Sequence, residues 1–281
     1  MPSPIPPYAS LGARPPEPPA ERRPHTLTGD VRTHENFASR HLEQQRHVMV
    51  YLPPGYDAGG VRRYPVLYLH DGQNVFDRAT AFGEEWQVDE SAQALIMSGA
   101  ISPLIIVAVY NAGAHRVDEY TPTELPDNGG GGHADDYGRM LVEELKPFID
   151  AGYLTLPSAA STAVGGSSLG GLLSMHLGIR YPTVFGRLAV LSPSIWWDDR
   201  IIVRSVEALP RKLPTRIWLD VGTREGAAAS TNARALRDAL VSRGWTVGED
   251  LMYEEVEGGE HNEQSWGARI GRVLQYLFPK H

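Results

Sequence analysis

The segment TAVGGSSLGGLLSMHLGIR, residues 162–180, contains the pattern G-x-S-x-G centred on Ser168. A short β-branched stretch precedes the pattern and an apolar helical stretch follows it, which is the strand–turn–helix order of a nucleophile elbow. Such a turn strains the serine backbone and exposes its hydroxyl, while Gly166 and Gly170 omit β-carbons where strand and helix approach each other. A phosphate-binding turn is the alternative, but the Lys-Ser/Thr of a phosphate loop is missing. We therefore predict that Ser168 is a nucleophile on an α/β fold.

Outward from this turn, segments typical of strands alternate with helical segments from residue 65 to the C-terminus. The predicted strands cover residues 65–70, 105–110, 162–165, 188–191, 215–221 and 251–256, and the predicted helices cover 85–97, a segment from Asp135 or Asp136, 169–180, 233–242 and 263–278. This alternation predicts one mostly parallel sheet with helices on both faces. The strands before residue 60, including 47–52, have no helix between them and predict an antiparallel N-terminal edge.

We expect residues 26–281 to form a single domain, preceded by a Pro-rich disordered or extended tail over residues 1–25. The first 24 residues lack the apolar core of a secretory signal, so we expect a cytoplasmic location unless a signal peptide has been removed. No stretch approaches the about 18 apolar residues of a membrane-spanning helix. We leave the oligomeric state open.

The composition excludes several kinds of site. The chain contains no cysteine, which excludes a disulfide scaffold, thiol catalysis and a cysteine-ligated zinc. Its net charge of −8, without a basic cluster, disfavours binding to nucleic acid or an anionic membrane. The N-terminal histidines, at positions 25, 34, 41 and 47, do not have the spacing of metal ligands. We predict neither a metal nor a cofactor.

Three histidines follow Ser168, and only His261 is placed to act as its base. His176 lies on the helix that leaves the elbow and cannot swing back to Ser168, and His281 is the last residue. His261 follows the last predicted strand. This position agrees with the chain order of nucleophile, acid and base on this architecture.

An acid that orients the imidazole should follow the strand at residues 215–221. Glu225 lies just past the end of that strand, whereas Asp220 lies within it. We favour Glu225 and keep Asp220 as the alternative. A non-catalytic explanation of Glu225 is a loop carboxylate paired with Arg224 or Arg234.

The oxyanion of a tetrahedral intermediate needs backbone donors from two places. The first is the N–H group of Leu169, directly after the nucleophile. The second should come from the loop that follows residues 65–70, where we expect the N–H group of Gln73 or Gly72 to serve. His70 and Asp71, in the same loop, are expected to hold it in shape.

Four residues near strand ends are candidates for substrate binding, because α/β sheets bind ligands at the carboxyl ends of their strands. Arg116 and Tyr120 could contact a carboxylate or a sugar, although Arg116 could equally form a surface ion pair. Trp196 and Trp197 could line an acyl or aromatic pocket, although either could simply pack under a lid.

Beyond the elbow, the chain resembles the esterase D-type "putative esterase" family of α/β-hydrolases over residues 30–280. The segments that carry the resemblance are VYLPPGY (50–56), LHDGQNVF (69–76), GGSSLGG (165–171), LSPS (191–194) and GEHN (259–262), with Trp266 downstream. The family includes feruloyl, acetyl-xylan and siderophore trilactone esterases, S-formylglutathione hydrolases and mycolyltransferases. The resemblance implies a serine carboxylic-ester hydrolase of the α/β-hydrolase fold, with Ser168, Glu225 and His261 in the matching places. Glutamate in place of the commoner aspartate is a departure from the family pattern.

Three functions follow from these residues. The first is a serine esterase acting through an acyl-enzyme on a small acyl, aromatic-acyl or sugar ester, or on a siderophore trilactone. The second is an acyltransferase that uses the same three residues but passes the acyl group to an alcohol. The third, a non-catalytic binding protein, does not explain why Ser168, Glu225 and His261 occur together.

Overall fold

The computed structural model describes residues 23–125 and 130–280. Within them, one eight-stranded sheet has the order β1-β2-β4-β3-β7-β8-β9-β10. These strands are β1 (Asp30–Phe37), β2 (Arg46–Leu52), β3 (Val66–His70), β4 (Ile105–Val109), β7 (Thr162–Ser167), β8 (Arg187–Leu191), β9 (Arg216–Gly222) and β10 (Leu251–Val256), and the short β5 (Glu124–Leu125) and β6 (Gly130–Gly131) form a separate hairpin. The pairs β1–β2 and β2–β4 are antiparallel, and all other pairs of the large sheet are parallel. The predicted fold class and its antiparallel N-terminal edge are therefore confirmed.

Helices cover both faces of the sheet because the buried strands alternate their side chains between two apolar clusters. On β2, Val48 and Val50 belong to one cluster, whereas Met49 and Tyr51 belong to the other. The helices are α1 (Val88–Met97), α2 (Arg116–Tyr120), α3 (Ala134–Arg139), α4 (Lys146–Gly152), α5 (Leu169–Arg180), α6 (Ile201–Glu207), α7 (Ala227–Ser242) and α8 (Glu263–Leu277). Helices α2 to α7 supply the first cluster, and α1 and α8 supply the second.

The helix predicted to start at Asp135 or Asp136 begins at Ala134, so neither aspartate is its N-cap residue. His133 is the N-cap residue and its side chain makes no capping bond. Asp135 and Asp136 instead bond side chains, and Asp136 accepts from Arg139 and His133. A π-helical segment, Met140–Leu145, connects α3 to α4. It lets the chain stay helical up to Pro147, which lies in the first turn of α4 where its missing N–H group is tolerated.

Residues 111–132, to which we assigned no strand or helix, contain α2 and the β5–β6 hairpin, and α6 was likewise not predicted. Both helices are shorter than the two turns in which an apolar period becomes visible. Of the predicted tail, residues 1–22 lie outside the described residues. Its last residue, His25, contacts the carboxylate of Asp77 through Nδ1 at 2.6 Å. None of the helices in the described ranges is long and apolar enough to cross a membrane.

Candidate active site

Ser168 lies in the sharp turn between β7 and α5. Its backbone angles, φ 56° and ψ −122°, are strained for a residue with a β-carbon. Gly166 makes the turn possible, because a β-carbon there would lie 3.0 Å from the carbonyl carbon of Gly170. The turn directs the Ser168 hydroxyl toward the carboxyl ends of the strands, as the elbow pattern predicts.

The three residues singled out for catalysis form a continuous hydrogen-bonded row. The Oγ atom of Ser168 lies 2.9 Å from Nε2 of His261, and Nδ1 of His261 lies 2.8 Å from Oε2 of Glu225. The Glu225 side chain is 3% exposed and the His261 side chain is 45% exposed. His261 packs edge-on against Trp266, with ring centroids 5.0 Å apart. The imidazole is therefore oriented on one side by the carboxylate and on another by an indole.

Between the two candidate acids, the geometry favours Glu225. Its Oε1 atom accepts hydrogen bonds from Gly222 N–H at 2.7 Å and from the Ser192 hydroxyl at 2.6 Å, which leaves Oε2 for His261. Burial alone would raise the pKa of Glu225, but the hydrogen bonds from His261, Ser192 and Gly222 hold it below its ordinary value. Asp220 is fully buried and bonds Ser192 and Trp218 instead of His261.

The loop after β3 holds the second predicted oxyanion donors. Asp71 has left-handed backbone angles (φ 56°) and precedes a short 3₁₀ turn, Gly72–Asn74, whose first bond runs from Asn74 N–H to Asp71 O. The N–H groups of Gly72 and Gln73 come before that bond and have no acceptor within the turn. A β-carbon at Gly72 would lie 2.6 Å from the backbone of β4, so only glycine fits this approach. Leu169, the other predicted donor, is the first residue of α5, where an N–H group is likewise free.

Arg116 reaches the site, but the Asp71 carboxylate binds it in a bidentate pair. Its Nε and Nη2 atoms lie 2.6 and 2.8 Å from the two oxygens of Asp71. Burial would lower the pKa of the guanidinium, but Asp71 raises it above the ordinary value. The pair ties α2 to the oxyanion loop and neutralises both charges.

Two of the four substrate-binding predictions are wrong. Tyr120 is fully buried, and its hydroxyl oxygen accepts a hydrogen bond from Asp71 N–H at 3.1 Å. Trp197 is 1% exposed and donates from Nε1 to Thr123. Both side chains are buried beneath the site, and the polar atom of each is hydrogen-bonded to another residue of the chain. Trp196, in contrast, is 54% exposed.

Two clefts meet at Ser168 and His261. The first, of about 620 Å³, has aromatic walls that the sequence did not single out as substrate contacts, namely Phe82, Trp86 and Trp266. The second, of about 510 Å³, is bordered by Trp196 and by Ser194, whose hydroxyl lies 3.3 Å from Ser168 Oγ. Nothing in the spacing of Phe82 or Ser194 marks them as site residues, because distant segments bring them to Ser168. No group of three or more potential metal ligands occurs among residues 23–125 and 130–280.

Comparison with known proteins agrees with this architecture. An endo-1,4-β-xylanase/feruloyl esterase of Xylanibacter ruminicola is 29% identical over 245 residues, which is 86% of this chain and 30% of that protein. A ferri-bacillibactin esterase of Bacillus subtilis is 28% identical over 233 residues, covering 73% of this chain and 75% of the relative. The enterobactin esterase of Shigella flexneri, solved in the presence of enterobactin, superposes with a TM-score of 0.73. At 21% identity, over 90% of this chain and 60% of that one, this likeness shows the fold alone.

The family model described as "Putative esterase" matches residues 39–277. The match covers every element from β2 to α8, and so includes the elbow, the oxyanion loop and the loop of His261. The chain therefore belongs to this esterase family and is a carboxylic-ester hydrolase of the α/β-hydrolase fold.

Proposed function

We propose that the chain is a serine esterase in which Ser168 is the nucleophile, His261 the general base and acid, and Glu225 the residue that orients and stabilises the imidazole. The observation that supports this assignment best is the row of short hydrogen bonds from Ser168 through His261 to Glu225. A serine hydroxyl needs an adjacent base, and that base needs a third group to fix its tautomer. We assign these roles to residues 26–281 as a single catalytic domain.

The proposed reaction has two halves. In acylation, Nε2 of His261 takes the Ser168 proton as Oγ bonds to the ester carbonyl carbon. The N–H groups of Leu169 and of Gly72 or Gln73 receive the oxyanion, and collapse breaks the bond to the alcohol, which leaves with the proton held by His261. In deacylation, water gives a proton to His261 and attacks the acyl-enzyme, releasing the carboxylic acid and restoring the Ser168 hydroxyl.

The aromatic walls of the first cleft favour an ester with a flat aromatic or small acyl group. Phe82, Trp86 and Trp266 offer apolar faces beside Ser168. Because Asp71 already binds Arg116, that arginine is a weak anchor for a separate anionic substrate. The feruloyl esterase relative supports an aromatic acyl ester, and the siderophore esterase relatives make a trilactone the second candidate.

An acyltransferase is the remaining alternative, because the second cleft could hold an acceptor alcohol beside the acyl-enzyme. Exposed Trp196 lines this second cleft, whereas Phe82 lines the first, and Ser168 borders both. Hydrolysis of methyl ferulate with and without added sugar alcohols, followed by chromatography of the products, separates the two reactions. Transfer products that dominate at millimolar acceptor would replace the hydrolase proposal.

The first experiment compares wild type with Ser168→Ala on p-nitrophenyl acetate, p-nitrophenyl butyrate and methyl ferulate. We expect a loss of about 10³-fold or more in kcat for every ester that the wild type hydrolyses. Ser167→Ala is the matched control, since Ser167 is the neighbouring serine but is out of register with the elbow pattern. Equal rates for wild type and Ser168→Ala would refute the assignment of the nucleophile and favour a binding protein.

A further inference from the structure

Ser192, directly after β8, is the centre of a buried polar network behind the proposed acid. Its hydroxyl donates to Glu225 Oε1 at 2.6 Å and accepts from Trp266 Nε1 at 3.0 Å and from Arg269 Nη2 at 2.5 Å. A serine hydroxyl has one proton and two lone pairs, so these three partners use all its hydrogen-bonding capacity. The direction of each bond is thereby determined, because the indole and the guanidinium can only donate.

The network holds Ser192 in an unfavourable backbone conformation. Its φ angle is 40°, in the left-handed region that residues with a β-carbon rarely adopt. The Ser192 N–H group donates to both the backbone oxygen and the side chain of Asp220, at 3.0 and 3.1 Å. Backbone strain of this kind persists where the surroundings impose it, and it is concentrated at functional sites.

The charges in the network explain what the hydroxyl does. Arg269 is 1% exposed, and its Nη2 atom lies 3.1 Å from Asp220 Oδ1 but 3.6 Å from Glu225 Oε1. The guanidinium therefore pairs closely with Asp220, whereas Glu225 Oε1 lies within ion-pair range but beyond hydrogen-bonding distance. The Ser192 hydroxyl bridges that gap, because it accepts from Arg269 and donates to Glu225. Without that hydroxyl, Arg269 and Glu225 could close from 3.6 Å to a direct hydrogen bond, which would turn the Glu225 carboxylate away from His261.

We propose that Ser192 is a positioning residue of the esterase reaction: its hydroxyl separates Arg269 from Glu225 and orients the carboxylate so that Oε2 faces His261. The inference rests on the proposed function, since it assigns Glu225 the role of the acid. It makes Asp220 the counter-charge of Arg269, which explains why two buried carboxylates occur behind one histidine.

The test is a double-mutant cycle between Ser192 and Glu225, measured as kcat and KM for the best p-nitrophenyl ester. We expect Ser192→Ala to lower kcat by about 10- to 100-fold, because a displacement of about 1 Å in a catalytic group can cost about 100-fold. KM should stay within about 2-fold of the wild-type value because Ser192 makes no proposed contact with the acyl group. In the Glu225→Ala background the same change should alter kcat by no more than about 2-fold, since no carboxylate is left to orient.

Two further variants separate positioning from stability. Ser192→Gly removes the same hydroxyl but suits the positive φ angle, so it should lose as much kcat as Ser192→Ala while unfolding at a higher temperature. Thr162→Val is the matched control: it removes a buried hydroxyl that donates to Ser158 O at the opposite end of β7. We expect its kcat to equal that of the wild type.

The outcomes distinguish this inference from the function on which it rests. Ser192→Ala with wild-type kcat, or a loss repeated in full in the Glu225→Ala background, would overturn the positioning role while leaving a Ser168-dependent esterase. Equal rates for wild type and Ser168→Ala would overturn the proposed function, and the positioning role with it.

Discussion

Replacing Glu225 with glutamine tests the acid arm of the site, because its surroundings dictate how the new amide must lie. Oε1 accepts two hydrogen bonds, from Gly222 N–H and from the Ser192 hydroxyl. In Glu225→Gln these donors require the amide oxygen at that position, which directs the NH₂ group toward Nδ1 of His261. An NH₂ group donates, so Nδ1 must accept and the neutral ring must carry its proton on Nε2. That tautomer cannot take the proton of Ser168.

The magnitude follows from this tautomer switch. In the serine-protease triad, the equivalent amide substitution leaves the geometry intact but lowers kcat by about 10⁴-fold. In the mechanism that we propose, His261 depends on its acid in the same way, and the contacts on the two sides of the imidazole, at 2.8 and 2.9 Å, are short enough for this. We therefore expect Glu225→Gln to lower kcat by about 10³- to 10⁴-fold at neutral pH.

The assay is the steady-state hydrolysis of p-nitrophenyl acetate, with circular dichroism to verify that the variant is folded. Asp220→Asn is the comparison variant, since Asp220 is the other buried carboxylate behind His261 but lies within β9 and does not contact the imidazole. We expect Asp220→Asn to lose less kcat than Glu225→Gln. A folded Glu225→Gln protein within about 10-fold of the wild-type rate, or a greater loss in Asp220→Asn, would refute the assignment of Glu225.

Three other predictions follow from the same site. Trp197→Ala should lower the free energy of unfolding by about 3–5 kcal/mol, because it leaves a cavity where a buried indole was. Trp196 is exposed, so Trp196→Ala should change the free energy of unfolding by under about 1 kcal/mol but alter the ratio of acetate to butyrate hydrolysis. Urea denaturation checks the stabilities, and a series of p-nitrophenyl esters checks the ratio. Arg116→Leu leaves Asp71 without its bidentate partner, so we expect a loss of about 2 kcal/mol in urea denaturation together with a lower kcat, and a wild-type kcat would contradict the role of Asp71 in holding the oxyanion loop. The pKa of Glu225 is lowered in the folded protein, so the ionised carboxylate stabilises the fold at pH values above its ordinary pKa of 4.5. This stabilisation is lost as the pH falls through the lower pKa of the folded state. The difference in stability between wild type and Glu225→Gln should therefore shrink on acidification from pH 6 to pH 3, and a difference that grows would contradict the direction of the shift.

The elements that the sequence predicts best are those whose pattern is local. The helix at residues 169–180 and the strand at 251–256 occur at those same bounds, because their apolar content and their stop signals lie within the segment. Ser168 could be found for the same reason, since the glycines of the elbow are its immediate neighbours. His261 could be found by elimination, because few histidines follow the elbow.

The predictions that failed depend on contacts between distant segments. Tyr120 and Trp197 have composition and position typical of a binding surface, but whether a strand-end aromatic faces the cleft or the core is decided by what packs over it. Here the Tyr120 hydroxyl accepts a hydrogen bond from Asp71 N–H, and the Trp197 indole donates one to Thr123. The sequence contains no signal for these pairings, because partners are separated by 49 and 74 residues.

Arg269 carried a signal that pattern reading could have used. It lies three residues after Trp266 and one before Ile270, on the apolar stripe of α8 where a charged side chain should not be. A buried arginine requires a buried acid, and the unexplained Asp220 within β9 was the candidate. Pairing Arg269 with Asp220 would have left Glu225 as the carboxylate available to bond His261.

The order of the strands explains why these side chains can act together. Consecutive parallel strands β7, β8, β9 and β10 are neighbours in the sheet, and the carboxyl end of each supplies one polar residue: Ser168, Ser192, Glu225 and His261 in turn. Neighbouring strands lie about 4.8 Å apart, so a nucleophile and a base on the outer two need side chains that lean inward over the middle two. The hydrogen bonds from Ser192 to Glu225 and from Glu225 to His261 hold the His261 side chain in that inward orientation. A substitution at Ser192 should therefore alter the reactivity of Ser168, which is three hydrogen bonds away through Glu225 and His261.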